Sequence, residues 1–397
     1  MQKTREIDIA HESGVLHVTG AAKYIDDIPV NHQLLHGRVV YSKVSHGKIT
    51  KLDISKAKAL EGVHCVLVHS DIPGLNNMGP IVKDEPVLSE GLVTFIGQAI
   101  CLIAAQTEAI AREAEQLLQI EIEKLPAVYT IEAARAANSL LQPARLIQQG
   151  NATEAIDTSP HKISGSLHTG AQEHWYLETQ TCLCLPGEDE EIKVLSSTQH
   201  PSETQALVAE TLGISKNQVE VEVRRMGGAF GGKETQANHT AVWCALLAQA
   251  TSRPVKIRLF RDDDQKITGK RHPYLVEYQA GFDQQGKIKG LIMRLHANAG
   301  SSTDLTMAVL ERAMMHAENS YYIPDILIEG NAWKTNLPSN TAFRGFGGPQ
   351  GMAGIETVID RIARYLGIDS LEVRKQNFYG TDQSNTTPYG HCLLYTS

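Results

Sequence analysis

Apolar and polar positions along this chain recur with two periods, and the switches between them mark its elements. Residues 93–105 form an apolar run broken at Gly97-Gln98, which reads as a strand. Thr107 then offers a hydroxyl to cap a helix, where Ile110, Ala111, Ala114, Leu117 and Leu118 follow the helical spacing. Ile120 and Ile122 alternate with Glu121 and Glu123, the pattern of a strand with one wet face, and Pro126 closes the unit. Residues 1–126 therefore read as a compact α/β unit. Residues 127–161, rich in alanine, asparagine and glutamine, read as a linker, helical in part, that wraps rather than forms a core.

From residue 162 onward a second domain begins. Val219, Val221 and Val223 alternate with Glu220 and Glu222 as a strand. Arg224-Arg225 then lead into Gly227-Gly228-Ala229-Phe230-Gly231-Gly232-Lys233-Glu234. Residues 234–250 follow as a helix with Ala237, Ala241, Ala245 and Leu246 in one stripe. A second glycine loop, Phe343-Arg344-Gly345-Phe346-Gly347-Gly348-Pro349-Gln350, precedes a helix over 352–366 that places Ile355, Val358, Ile359 and Ile362 on one face. The chain as a whole reads as α+β, with no long repeat and no low-complexity tract.

Glycine lets backbone N–H groups approach a bulky ligand, and the phenylalanine in each loop supplies a flat apolar wall. A glycine loop opening into a helix is also a natural anion site. The first loop matches most of the phosphate-binding pattern G-x-x-x-x-G-K, but Glu234 stands where a Mg²⁺-binding Ser or Thr belongs. A nucleotide-binding module without catalysis is therefore one reading of this loop, and a tight strand-to-helix turn is another. Taken singly, Glu234 reads as a carboxylate favoured by a helix dipole. Arg312 alone reads as an exposed helix arginine, and Phe346, His174, Trp175 and Tyr176 as packing groups.

Composition narrows the classes. With 397 residues, 42% hydrophobic and 21% charged, the chain can bury more than one core. Its net charge of -8 argues against a nucleic-acid-binding body. Residues 1–11 are polar and carry no apolar signal core. The apolar runs 99–105 and 241–250 are too short to span a bilayer. The six cysteines are scattered; Cys182 and Cys184 share one face of a strand-like run but lack the C-x-x-C spacing of zinc or iron–sulfur sites. They read as reduced thiols of a cytoplasmic protein. Residues 392–397 follow Pro388-Tyr389-Gly390 without a cap or stop signal, and the natural protein is expected to continue beyond them.

Together the motifs are specific. Leu16-His17-Val18-Thr19-Gly20-Ala21-Ala22-Lys23-Tyr24-Ile25-Asp26-Asp27-Ile28-Pro29, Gln172-Glu173-His174-Trp175-Tyr176-Leu177-Glu178, Ser197-Thr198-Gln199, the first glycine loop, Glu311-Arg312-Ala313 and residues 341–350 occur in one order. That series closely resembles the molybdenum-cofactor subunit of xanthine dehydrogenases, within the xanthine oxidase and aldehyde oxidase family, over nearly all of residues 5–390. The resemblance implies an N-terminal hammerhead-type domain (1–126), the linker, and the first, truncated part of a molybdopterin-binding domain (162–397).

It also implies roles. Gln199, Phe230, Gly231 and Arg344 match positions around the molybdenum–molybdopterin cofactor, with Gln199, Phe230 and Arg344 near the metal itself. The metal is held by the pterin dithiolene rather than by protein ligands. Glu234, Arg312 and Phe346 match substrate-recognition positions of the purine-oxidising branch, which favours hypoxanthine and xanthine over aldehydes or other N-heterocycles. The implied reaction hydroxylates a purine carbon with water-derived oxygen, and the electrons leave through 2Fe-2S and FAD to NAD. Those carriers have no motif here and are expected on a partner subunit in a hetero-oligomer, a dimer of heterodimers. The family's general-base glutamate lies beyond residue 397, so no catalytic residue is expected in this stretch, and the stretch alone is expected to be inactive.

Overall fold

A computed structural model describes residues 11–380 and 384–393. The expectations for 1–10 and 394–397 lie outside the described residues. Strands β1 (Leu35–Tyr41), β2 (Gly47–Asp53), β3 (Val63–Leu67), β4 (Leu92–Val93), β5 (Ala99–Ala105) and β6 (Gln119–Lys124) come from the early unit. Next come β7 (Arg145–Gln149), β8 (His161–Thr169), β9 (Thr181–Pro186), β10 (Ile192–Ser196), β11 (Val219–Glu222) and β12 (Val255–Arg258). The last are β13 (Tyr274–Phe282), β14 (Ile288–Gly300) and β15 (Asp325–Lys334). They form a seven-stranded sheet (β11-β10-β9-β12-β1-β5-β3), a five-stranded sheet (β7-β15-β14-β13-β8) and a three-stranded sheet (β4-β2-β6). Helices pack on these sheets, giving the expected α+β fold.

The apolar run at 93–105 breaks where the sequence pattern places the break. Gln98 Oε1 accepts from the Thr94 backbone N–H at 2.6 Å, and β5 beyond it is wholly buried. Thr107 caps the helix Glu108–Leu117 by accepting from the Ile110 N–H at 3.2 Å. Ala111 and Ala114 turn that helix onto the sheet.

Two features run against the sequence reading. β1 pairs in parallel with β12, Leu35 opposite Val255, so the early unit and the second domain share one sheet. The stretch expected as a linker carries the helices Ile131–Ala136 and Ala152–Asp157 and the edge strand β7, which pairs with β15. Residues 131–157 are thus built into the second domain's sheet layer.

Two cores follow. One lies between the seven-stranded sheet and the helices Pro201–Leu212 and Ala237–Thr251. It encloses Cys182, Cys184 and Cys244, whose Sγ atoms lie within 4.8 Å of one another. Burial pushes the Cys182 and Cys184 thiols up, which keeps them protonated. The other core joins the five-stranded sheet to the helices Thr306–Met315 and Gly348–Leu366, and it buries Ile355, Val358, Ile359 and Ile362 as their spacing predicts. The two glycine loops emerge where these halves meet.

Candidate cofactor and substrate site

The glycine loops touch. The Arg344 N–H donates to the Phe230 carbonyl at 2.9 Å. A Cβ on Gly231 would stand 2.8 Å from the Ala342 carbonyl oxygen, so only glycine allows this approach. Each loop turns on a left-handed phenylalanine–glycine pair: Phe230 and Gly231 have φ of +57° and +96°, Phe346 and Gly347 +48° and +96°. Left-handed phenylalanine is strained, and such strain is held only where the surroundings over-determine it.

Gln199 completes one rim. Its Oε1 accepts from the Gly231 N–H at 2.9 Å and the Lys233 N–H at 3.4 Å. Its Nε2 donor has no partner among the described residues. Gln199, Phe230, Gly231 and Arg344, far apart in sequence, thus lie at one loop junction. Phe230 is 47% exposed there.

The three residues expected to face substrate come from adjoining elements. Glu234 is half-buried just after the first loop, and its carboxylate has no hydrogen-bond partner among the described residues. Burial holds its carboxyl above the usual range; His200 opposes the shift and Glu203 adds to it. Arg312 is exposed on the helix Thr306–Met315 and makes no ion pair among the described residues. That helix packs against the second loop: a Cβ on Gly347 would meet the Val309 carbonyl oxygen at 2.0 Å. Phe346 rests on Leu305, Val309 and Ala342. No direct bond joins Glu234 to Arg312.

Lys233 corrects the phosphate-loop reading. Its side chain is 0% exposed, with Nζ 3.2 Å from Glu178 Oε2, 2.8 Å from Ser197 Oγ and 4.7 Å above the Tyr176 ring. A lysine so enclosed cannot reach a phosphate, and the nucleotide-binding alternative falls with it. Glu178 Oε2 also accepts from the Gly227 N–H at 2.8 Å, so this buried pair anchors the start of the loop. The helix begins at Ala237 rather than 234, because residues 230–236 continue as turns.

The sequence reading took His174 only as a packing group and passed over Arg271 and Asp304. His174 Nε2 lies 2.7 Å from the Ala342 carbonyl, and burial drives its pKa down to about 4, so it is a neutral donor to the second loop. Arg271 lies over the Phe343 ring at 4.0 Å and donates to the Arg344 carbonyl at 2.8 Å, while its buried Nη1 has no partner. Asp304, buried and at φ +40°, accepts from Thr235 Oγ1 at 2.8 Å and Gln236 Nε2 at 2.7 Å. No local sequence signal marks Arg271 or Asp304, and the partner of His174 is distant in the chain.

Comparison with known proteins places this geometry. Residues 131–378 match the family model of the molybdopterin cofactor-binding domain. Residues 19–126 match that of the aldehyde oxidase and xanthine dehydrogenase a/b hammerhead domain. The chain belongs to the aldehyde oxidase and xanthine dehydrogenase family. Within that family it is 44% identical to the xanthine dehydrogenase of Dictyostelium discoideum over 97% of this chain and 28% of that protein. It is 42% identical to the xanthine dehydrogenase/oxidase of Gallus gallus over 94% of this chain and 27% of that one. The fold superposes on the aldehyde oxidoreductase from Desulfovibrio gigas with a TM-score of 0.89 and 28% identity, covering 96% of this chain and 44% of that chain. The chain therefore spans under a third of the length of these two dehydrogenases.

The residues present fit a pterin-borne metal. The loop junction offers unpaired donors at Gln199 Nε2 and Arg271 Nη1 and an exposed Phe230 ring. The buried thiol cluster, by contrast, lies inside the core of the seven-stranded sheet.

Proposed function

We propose that the chain forms the cofactor- and substrate-binding part of a molybdenum-dependent purine hydroxylase of the xanthine dehydrogenase kind, acting on hypoxanthine and xanthine. The observation that carries this reading is the pair of unpartnered groups, the half-buried Glu234 carboxyl and the Arg312 guanidinium, on two elements that adjoin the same loop junction. The similarity to xanthine dehydrogenases supports it.

When bound, the pterin-held molybdenum supplies oxygen transfer from water and takes up two electrons. Gln199 Nε2 and Arg271 Nη1 would hold the cofactor's polar edge, with Phe230 and Arg344 beside it. Attack on a purine carbon builds negative charge on the ring nitrogens and exocyclic oxygen. Arg312 stabilises that charge as a fixed cation. Glu234, its carboxyl held above the usual range by burial, hydrogen-bonds the heterocycle and steers its proton. Phe346 packs on the flat ring. An aldehyde would leave the half-buried Glu234 unmatched, at about 1–3 kcal/mol, and would give Arg312 no developing ring charge to stabilise. 2Fe-2S and FAD on a partner subunit would carry the electrons to NAD, in a cytoplasmic hetero-oligomer. Among the described residues no helix is long and apolar enough to cross a membrane.

Glu234→Ala and Arg312→Ala in the holoenzyme test the assignment. Each should lower kcat/KM for xanthine by about 100-fold or more while leaving a simple aldehyde within a few-fold. A wild-type holoenzyme that oxidises aldehydes but not xanthine would overturn it.

A further inference from the structure

The three groups assigned to substrate recognition stand on three separate pieces of chain: Glu234 after the first loop, Arg312 on the helix Thr306–Met315, and Phe346 in the second loop. Asp304 links all three pieces, directly or through Thr235. Asp304 immediately precedes the cap of the Arg312 helix, whose N-cap is Leu305. Its Oδ1 accepts from Thr235 Oγ1 at 2.8 Å, and Thr235 directly follows Glu234. Thr235 Oγ1 is in turn 3.0 Å from Thr341 Oγ1, at the entrance to the second loop. Its Oδ2 accepts from Gln236 Nε2 at 2.7 Å.

The early unit braces this junction from behind. Asp84 Oδ2 accepts from the Thr303 N–H at 2.9 Å and from Thr303 Oγ1 at 2.6 Å. Glu85 accepts from Ser302 Oγ at 2.8 Å and lies 2.7 Å from His239 Nε2. His239 is thus engaged by Glu85, and Asp304 makes no ion pair of its own among the described residues. An acid fully buried without a cation, on a left-handed non-glycine backbone, is a poor device for stability alone.

We propose that Asp304 is a positioning residue that sets the spacing of Glu234, Arg312 and Phe346, and so sets discrimination between purines and smaller substrates. The inference rests on the substrate assignment above. Bound geometry within a fraction of an ångström decides how well fixed groups act on a substrate. A clamp at the root of all three elements controls that geometry without touching substrate.

Asp304→Asn keeps the size of the side chain but turns one acceptor into a donor facing the Gln236 amide or the Thr235 hydroxyl. In the holoenzyme, the ratio of kcat/KM for xanthine to kcat/KM for a simple aldehyde should fall about tenfold. A merely structural role would lower both activities together and leave the ratio intact. Amide hydrogen exchange of residues 227–235 and 341–347 reads the clamp whatever the substrate is, and it should rise in both segments together. Thr341→Val cuts the arm to the second loop alone and Thr235→Val cuts the bonds to Asp304 and Thr341 together, and they supply the same two readouts should Asp304→Asn fail to fold. An unchanged ratio with unchanged exchange overturns the proposal, as does a rise confined to one segment in Asp304→Asn. Raised exchange in both segments, in a wild type that oxidises aldehydes and not xanthine, keeps the clamp and overturns the purine assignment instead.

Discussion

Replacing Glu178 by alanine should release the first glycine loop from the body of the protein. Its Oε2 accepts from the Gly227 N–H at 2.8 Å and Ser197 Oγ at 2.7 Å, and it pairs with Lys233 Nζ at 3.2 Å. Removing it strands the Lys233 ammonium, 0% exposed, against one hydroxyl and the face of Tyr176. Breaking a buried pair from one side costs about 3–5 kcal/mol, because the remaining charge is uncompensated. Burial already holds the Lys233 pKa below its usual value, with Glu178 the first opposing influence. Loss of a proton from Lys233 therefore caps the penalty near the lower end. Glu178→Gln keeps an acceptor for Gly227 and should lose less. Adding Lys233→Met to either variant should recover part of the loss, since no charge is then left in the core. Urea unfolding of the holoenzyme gives the stabilities, and molybdenum per protein gives the state of the loop. A Glu178→Ala loss below about 1 kcal/mol, or no recovery with Lys233→Met, would refute this account of the pair.

Gly231→Ala places a Cβ 2.8 Å from the Ala342 carbonyl oxygen at φ +96°; molybdenum content should fall at least several-fold while far-ultraviolet circular dichroism stays native, and full occupancy would contradict the loop contact. Asp304 makes one contribution of definite sign to the pH dependence of stability, since its carboxyl is pushed up to about 7, chiefly by burial, from an ordinary 3.8. Between those values the folded state holds a proton that the unfolded chain has lost, so this group's contribution falls as pH rises from about 4 to 7. His174 and His272, held neutral by burial with pKa values near 4 and 3, act in the opposite direction. The share of Asp304 is therefore read as a difference: relative to Asp304→Asn, the wild type should lose thermal stability across that window, and a constant difference would be the wrong result.

Periodicity in this chain gives the local elements and not their partners. The Thr107 cap, the break at Gly97-Gln98 and the stripe of Ile355, Val358, Ile359 and Ile362 are properties of neighbouring residues, and each is where the pattern puts it. β7 is short and polar, Arg-Leu-Ile-Gln-Gln, and becomes a strand only because β15 offers an edge. The first helix starts late because Gln236 is engaged by Asp304 and by the Gly269 N–H, which holds residues up to 236 in turns. The meeting of the two glycine loops is foreshadowed by their shared composition. The inward turn of Lys233 is not, since its partner Glu178 lies in another motif.

The parallel pairing of Leu35 with Val255 has a consequence for biosynthesis. As the chain leaves the ribosome, β1 and β5 form an edge whose proper neighbour has yet to be made. Ladder closure waits for the strand ending at Arg258, so the nascent product carries an open strand edge until well past the middle of these 397 residues. The nascent chain is then a natural client of holdase chaperones in that interval, and a separately expressed N-terminal piece would aggregate through the same edge.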